Sequence, residues 1–137
     1  MTEPAARAAT AYDPGQGGMQ MLIGAGPARF VADQPLESGG LDLGPTPHEL
    51  VSAGLAACVA QTLRLYAARK GWPVGAVDVA VTHAVDPDLA PHDTFQVAVS
   101  VAGELSAEQI ARLGQIADNC PVHRMLVAGA RIATTLA

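Results

Sequence analysis

One segment limits the folds open to this chain more than any other. Between Thr46 and Pro73 the sequence carries a helix start, an almost wholly apolar middle and a helix stop. Thr46 suits the N-cap, Pro47 suits the first helical position, and Glu49 stands three residues after Thr46, which makes a capping box. Val51, Leu55, Cys58, Val59, Thr62 and Tyr66 then recur at helical spacing and form one mostly apolar face. Arg64, Arg69 and Lys70 gather toward the C-terminal end, where cations favour the helix dipole, and Gly71 and Pro73 stop the helix. From Ala53 to Ala60 there is almost no polar side-chain atom, so this helix is expected to be covered on most of its sides.

The flanking sequence supplies strands and one further helix. Residues 1–17 are small, polar and rich in Gly and Pro, and predict a loose N-terminus that becomes a strand around Ala9 to Asp13. Met19 to Ile23 and Ala28 to Asp33 predict a hairpin turning at Gly24-Ala25-Gly26-Pro27, followed by a loop from Gln34 to Gly44. After the long helix, Val77, Val79, Val81, His83 and Val85 alternate with small or polar residues. Phe95, Val97, Val99 and Val101 do the same, and the two runs predict a half-buried antiparallel pair joined by Asp86 to Thr94. Ser106 and Gln109 form a second capping box, with Ile110, Leu113, Ile116, Ala117 and Cys120 facing inward. Pro121 starts a short helix to Val127, and Ala130 to Leu136 reads as a closing strand. The sum is one α+β domain over residues 1–137, an antiparallel sheet with a long buried central helix and a second helix, without repeats or linkers.

Composition excludes several classes. Of 137 residues, 50% are hydrophobic and 15% charged, which argues against disorder. The aromatic share is 4%, so the core must be built from Ala, Val, Leu and Ile. A net charge of −5 weighs against a nucleic-acid partner or an anionic membrane surface. Met1 to Thr10 has neither the basic nor the apolar region of a signal peptide, and no uninterrupted apolar run reaches the ~18 residues of a membrane span. The expected compartment is the cytosol, where thiols stay reduced.

The two cysteines, Cys58 and Cys120, are therefore read as inert buried thiols, a redox pair, or metal ligands completed by histidine. Nothing charged lies within four residues of Cys58 on its own helix, so its activation must come from elsewhere. Cys120 precedes Pro121 at a fresh helix N-terminus, with His123 and Arg124 following, which favours a thiolate. Each helix contributes one Cys to its core-facing side, so packing of the two helices would let the sulfurs meet.

Two stretches carry a resemblance. Gly44-Pro45-Thr46-Pro47-His48-Glu49-Leu50-Val51-Ser52-Ala53-Gly54-Leu55-Ala56-Ala57-Cys58 resembles the first signature of the OsmC/Ohr family of thiol peroxidases, and Asn119-Cys120-Pro121-Val122-His123-Arg124 resembles the second. Tyr66-Ala67-Ala68-Arg69-Lys70-Gly71-Trp72-Pro73 is similar to members of the OsmC-like branch. The likeness runs from about Gly39 to the C-terminus. It implies an intertwined homodimer with active sites at the subunit interface. It also implies that Cys58 attacks an organic hydroperoxide and becomes a sulfenic acid, that Cys120 resolves it as a disulfide, and that an external thiol or dithiol restores the enzyme. No cofactor and no metal are implied. The family uses a Glu at the Glu49 position and an Arg in the N-terminal hairpin region. Arg29 lies in that region without matching the motif, and Arg124 is the other candidate cation.

Each of these residues also has a structural reading. Glu49 is fully explained as the capping-box partner. Cys58 follows it by nine residues (58 − 49), which on an ideal helix is a rotation of about 180° and a rise of ~13 Å. Glu49 then serves Cys58 only if the helix breaks, or if it reaches the other subunit's site. His83 reads as a satisfied core or interface histidine, and Trp72 as a packing plug at the helix end. Cys120 and His123 resemble a ligand doublet, yet with Cys58 they supply only three ligands, and His48 and His92 have no assigned place. The alternative function is a non-enzymatic dimeric binding or interaction module with inert thiols.

Overall fold

A computed structural model describes residues 7–137, so the first residues of the expected loose N-terminus lie outside the described part. The chain divides into two compact units, one ending at Leu50 and the other spanning Val51–Ala137.

In the first unit the short alternating segments pair as an antiparallel meander of β1 (Ala9–Tyr12), β2 (Met21–Ala25) and β3 (Ala28–Ala32). The turn between β2 and β3 is tighter than expected: Ala25 pairs with Ala28, and Gly26 takes φ 56°. Glycine is the residue that adopts this left-handed backbone without strain. Arg29 steadies the turn, its Nη1 donating to the carbonyls of Gly26 at 2.9 Å and Ala28 at 2.8 Å.

The residues after β3 are organised by a carboxylate. Asp33 is 2% exposed, and its oxygens accept from Gln20 Nε2 at 2.9 Å and from the backbone N–H groups of Gln34 (2.7 Å), Leu41 (3.1 Å) and Leu43 (3.1 Å). The loop 34–44 closes around it, with a 3-10 turn at Leu36–Ser38. A Cβ at Gly40 would collide with the Gln34 carbonyl, which explains the glycine there. Burial by itself raises the Asp33 carboxyl, but the four N–H donors outweigh it and hold the group below the ordinary carboxylate value. A lowered folded value means that this stabilisation is complete above the unfolded pKa of about 4 and is lost as pH falls through the folded one. The Leu41 and Leu43 amides are expected to stay protected from hydrogen exchange at pH 5 and to lose protection under stronger acid. Asp33→Asn should speed their exchange at neutral pH by roughly 10-fold or more, because an amide cannot replace a charged acceptor of several N–H groups.

The long helix α1 spans Pro47–Lys70 and opens on the expected capping box: the Glu49 N–H donates to Thr46 Oγ1 and the Thr46 N–H donates to Glu49 Oε1, both at 3.1 Å. It closes with Gly71 at φ 67°, where the N–H of Gly71 reaches the Ala68 carbonyl (3.3 Å) and that of Trp72 the Ala67 carbonyl (3.0 Å). This is the paired closure that a glycine after the last turn permits. Trp72 then stands edge-on to Tyr66 with ring centroids 5.4 Å apart, the plug expected at the helix end.

The second unit is built on α1. The buried stripe is Leu55, Val59, Leu63 and Ala67, strictly every fourth residue. The expected face is thus rotated: Leu63 and Ala67 enter the core, and Val51 is 42% exposed. Within the single chain this stripe is the fully buried part of α1, and Leu65 is 48% exposed. By length and composition α1 is apolar enough to cross a membrane, which a search for uninterrupted apolar runs does not reveal.

Strands β4 (Val77–Val85) and β5 (Asp93–Val101) form a separate two-stranded antiparallel sheet in register Val77↔Val101 to Val85↔Asp93. Two strands alone are marginal, and these are supported by Val77, Val79, Val81, Phe95 and Val101 packing on the helical core. Arg64 donates to the carbonyls of Val74 and Gly75 and so ties α1 to the chain entering β4. His83 is satisfied as expected, with Nε2 2.7 Å from Asp93 Oδ1 and its ring 4.8 Å from that of Phe95.

Helix α2 (Ala107–Ala117) starts on the Ser106–Gln109 capping box and buries Leu113, Ile116 and Ala117, while Ile110, expected inside, is 55% exposed. Helix α3 (Pro121–Ala128) follows directly, with Cys120 as its N-cap and Pro121 in its first turn. The expected closing strand at Ala130–Leu136 does not form: residues 129–137 are irregular, with Ile132 88% and Leu136 99% exposed. A β-propensity run becomes a strand only against an edge that pairs with it, and among the described residues this segment pairs with none.

Candidate active site

Both thiols lie in the second unit and are brought there by different local rules. Cys58 lies next to Val59 of the buried stripe of α1 and is half-buried. Cys120 is completely buried: α2 has already ended at Ala117, and the residue before Pro121 is extended and serves as the N-cap of α3. The two packing surfaces merge: Leu55, Val59, Leu63, Leu113, Ile116, Ala117 and Cys120 form one buried cluster, and Cys58 packs against it.

Both thiols are free, and Cys58 packs against the buried cluster that holds Cys120, near enough for the two sulfurs to influence each other. The Cys120 sulfur also accepts the His123 N–H at 3.4 Å. Burial pushes the Cys120 thiol above its ordinary value, and the hydrogen bond and charge interaction with Cys58 push it the same way. The backbone N–H groups of His123 and Val122 oppose them without prevailing. The expected thiolate at Cys120 is therefore corrected. The helix N-terminus is present and acts in the expected direction, but it is outweighed by a dry pocket and a second sulfur, neither of which is visible from the residues next to Cys120. In the reduced protein Cys120 keeps its proton.

The other candidates fall elsewhere. Glu49 is exposed and occupied by the capping box, and α1 runs without a break from Pro47 to Lys70, so no helix break carries it round to Cys58. Arg29 is engaged at its turn, and Arg124 is exposed on α3, with its backbone N–H bonded to the Cys120 carbonyl at 3.0 Å. Among the described residues, no group of three or more His, Cys, Asp or Glu side chains is placed to hold a metal ion. Sequence reasoning missed Asp33. The available signal was an Asp at a strand end before a Gly-rich loop, the setting in which a short carboxylate bonds to neighbouring N–H groups.

Fold and site together define an α+β protein with a paired, reduced dithiol set in an aliphatic core. The chain belongs to the family of OsmC-like proteins, which matches residues 39–135. Comparison with curated proteins gives no match. Among solved structures the chain is similar to an OsmC-like protein from Mycoplasma pneumoniae, with TM-score 0.73, 18% identity, and coverage of 91% of this chain and 89% of that one. It is also similar to the organic hydroperoxide resistance protein OsmC from Legionella pneumophila, with TM-score 0.67, 21% identity and 91% of each chain covered. A third is an organic hydroperoxide resistance protein from Elizabethkingia anophelis, with TM-score 0.68, 22% identity and coverage of 90% and 89%. At these identities the likeness establishes a shared fold.

Proposed function

We propose that this protein serves in the response to peroxide stress as a cysteine peroxidase that reduces organic hydroperoxides in the cytosol. The observation that carries the reading is the packing of the half-buried Cys58 against the buried cluster that contains Cys120. Membership in the OsmC-like family supports it, as do the hydroperoxide resistance proteins among the structures of similar fold.

In this reading Cys58, the more accessible sulfur, attacks the peroxide as a thiolate. The O–O bond breaks, the alcohol leaves with a proton, and Cys58 becomes a sulfenic acid. Cys120 then attacks Cys58 Sγ, water leaves, and a disulfide remains for an external thiol or dithiol to reduce. Until then the protonated Cys120 donates its S–H toward Cys58, which steadies negative charge on the attacking sulfur. Leu55, Val59, Leu113 and Ile116 surround the pair with aliphatic surface, which suits an alkyl hydroperoxide better than hydrogen peroxide. The protein acts as a homodimer whose partner covers the apolar surface that α1 leaves open, including Val51 and Leu65.

Intact mass after one equivalent of cumene hydroperoxide tests the reading. Loss of two hydrogens per chain is expected, from an intramolecular disulfide. An unchanged mass with the peroxide unconsumed would favour the binding module with inert thiols.

A further inference from the structure

Completing the cycle requires the disulfide to be opened, and its two sulfurs are not equivalent. Cys120 is 0% exposed, whereas Cys58 is only half-buried. An incoming thiolate must approach along the S–S axis behind the sulfur that it attacks, and the space behind Cys120 is filled by protein. The departing sulfur must carry negative charge at the moment of cleavage. Cys120 is the sulfur with a place for it: the N-terminus of α3, where the His123 N–H points at Sγ from 3.4 Å and the Val122 N–H adds a second favourable interaction.

We propose that the external thiol attacks Cys58 Sγ and that Cys120 departs as a thiolate received by the α3 N-terminus, so that the mixed disulfide forms on Cys58 alone. The new bond joins the reductant sulfur to Cys58 Sγ, the Cys58–Cys120 bond breaks, and its electron pair stays on Cys120, which then takes a proton. The second thiol of a dithiol, or a second monothiol, displaces Cys58 and leaves as the oxidised reductant.

Cys120 is a poor thiolate in the reduced protein, chiefly because it is buried, and part of that disadvantage is lifted once Cys58 is held in a mixed disulfide. Two of the three effects that raise it, the hydrogen bond and the charge interaction, come from the Cys58 sulfur. In the mixed disulfide that sulfur is neither a thiol nor a thiolate, so both effects vanish. Burial remains, opposed by the two N–H groups. The same helix end that does not ionise Cys120 at rest therefore stabilises it as a leaving group. The N–H groups of the first helical turn have no partner within the helix, so this function costs α3 none of its own hydrogen bonds.

The proposal rests on the peroxidase reading only for the natural source of the disulfide, so the test forms that bond with diamide. The oxidised protein is mixed with 2-mercaptoethanol, quenched with acid, alkylated with N-ethylmaleimide and cut with trypsin. Cys58 then lies in the peptide Phe30–Arg64 and Cys120 in Leu113–Arg124. The mercaptoethanol adduct is expected on the first peptide and the maleimide on the second. An adduct on Leu113–Arg124 would overturn the proposal, and so would failure of diamide to produce the disulfide. A disulfide that opens at Cys58 but never forms with cumene hydroperoxide would sink the peroxidase reading and leave this one standing. His123→Pro removes the donor at a first-turn position where proline is tolerated. Opening by 2-mercaptoethanol should then slow by about 10-fold with the adduct still on Cys58. Unchanged or faster opening would remove the α3 N-terminus from the mechanism.

Discussion

Cys58→Ser is expected to abolish consumption of cumene hydroperoxide, whereas Cys120→Ser should leave a protein that reacts once and stops with Cys58 as a sulfenic acid. The asymmetry follows from the positions of the two sulfurs. Cys58 is only half-buried, while Cys120 is sealed in the core and keeps its proton. A hydroxyl in place of the attacking sulfur has far too high a pKa to act as a nucleophile here, so the loss should be at least ~10³-fold in rate. In Cys120→Ser the serine remains a good N-cap for α3 and a hydrogen-bond donor toward Cys58, so the first step should survive. Dimedone should add to Cys58 after one equivalent of peroxide, and catalytic turnover with a monothiol should change from disulfide-dependent to direct reduction of the sulfenic acid. Continued turnover by Cys58→Ser would mean that the two roles are reversed.

Glu49→Gln should separate chemistry from folding. The amide preserves the shape of the side chain and most of the capping box, in which Glu49 accepts from the Thr46 N–H at 3.1 Å, so stability should fall by less than ~1 kcal/mol. If the carboxylate orients a cation or a proton near the attacking sulfur, peroxide reduction should fall by ~10-fold or more. The unbroken course of α1 leaves the partner subunit as the route by which this side chain would serve a Cys58. Mixing Glu49→Gln with Cys58→Ser subunits then discriminates: heterodimers that pair the groups across the interface hold one site with both defects and one intact site. Activity should return on mixing. No recovery, with heterodimers shown to form, would exclude the arrangement across subunits. An unchanged rate in Glu49→Gln alone would reduce the residue to a helix cap.

Local signals determined much of this protein without any tertiary information. Both capping boxes, the Gly71 stop, the period-two strands β4 and β5 and the restart of the helix at Pro121 depend on interactions within a few residues, and the structure contains each of them. The family signatures were legible for the same reason, since they are contiguous runs. Three features lay beyond local reading. The fate of 130–136 depended on whether a strand edge was available, which no residue in that segment encodes. The buried face of α1 was set by what packs on it: Leu55, Val59, Leu63 and Ala67 are no more apolar than their neighbours, and a helix apolar all round gives no periodic cue to its inner side. The protonation of Cys120 was settled by a competition among burial, a second sulfur from 62 positions away (120 − 58) and two N–H groups beside it. Sequence displays only the last of these. Desolvation and the approach of Cys58 are properties of the packed core, so tertiary structure alone decided that Cys120 keeps its proton.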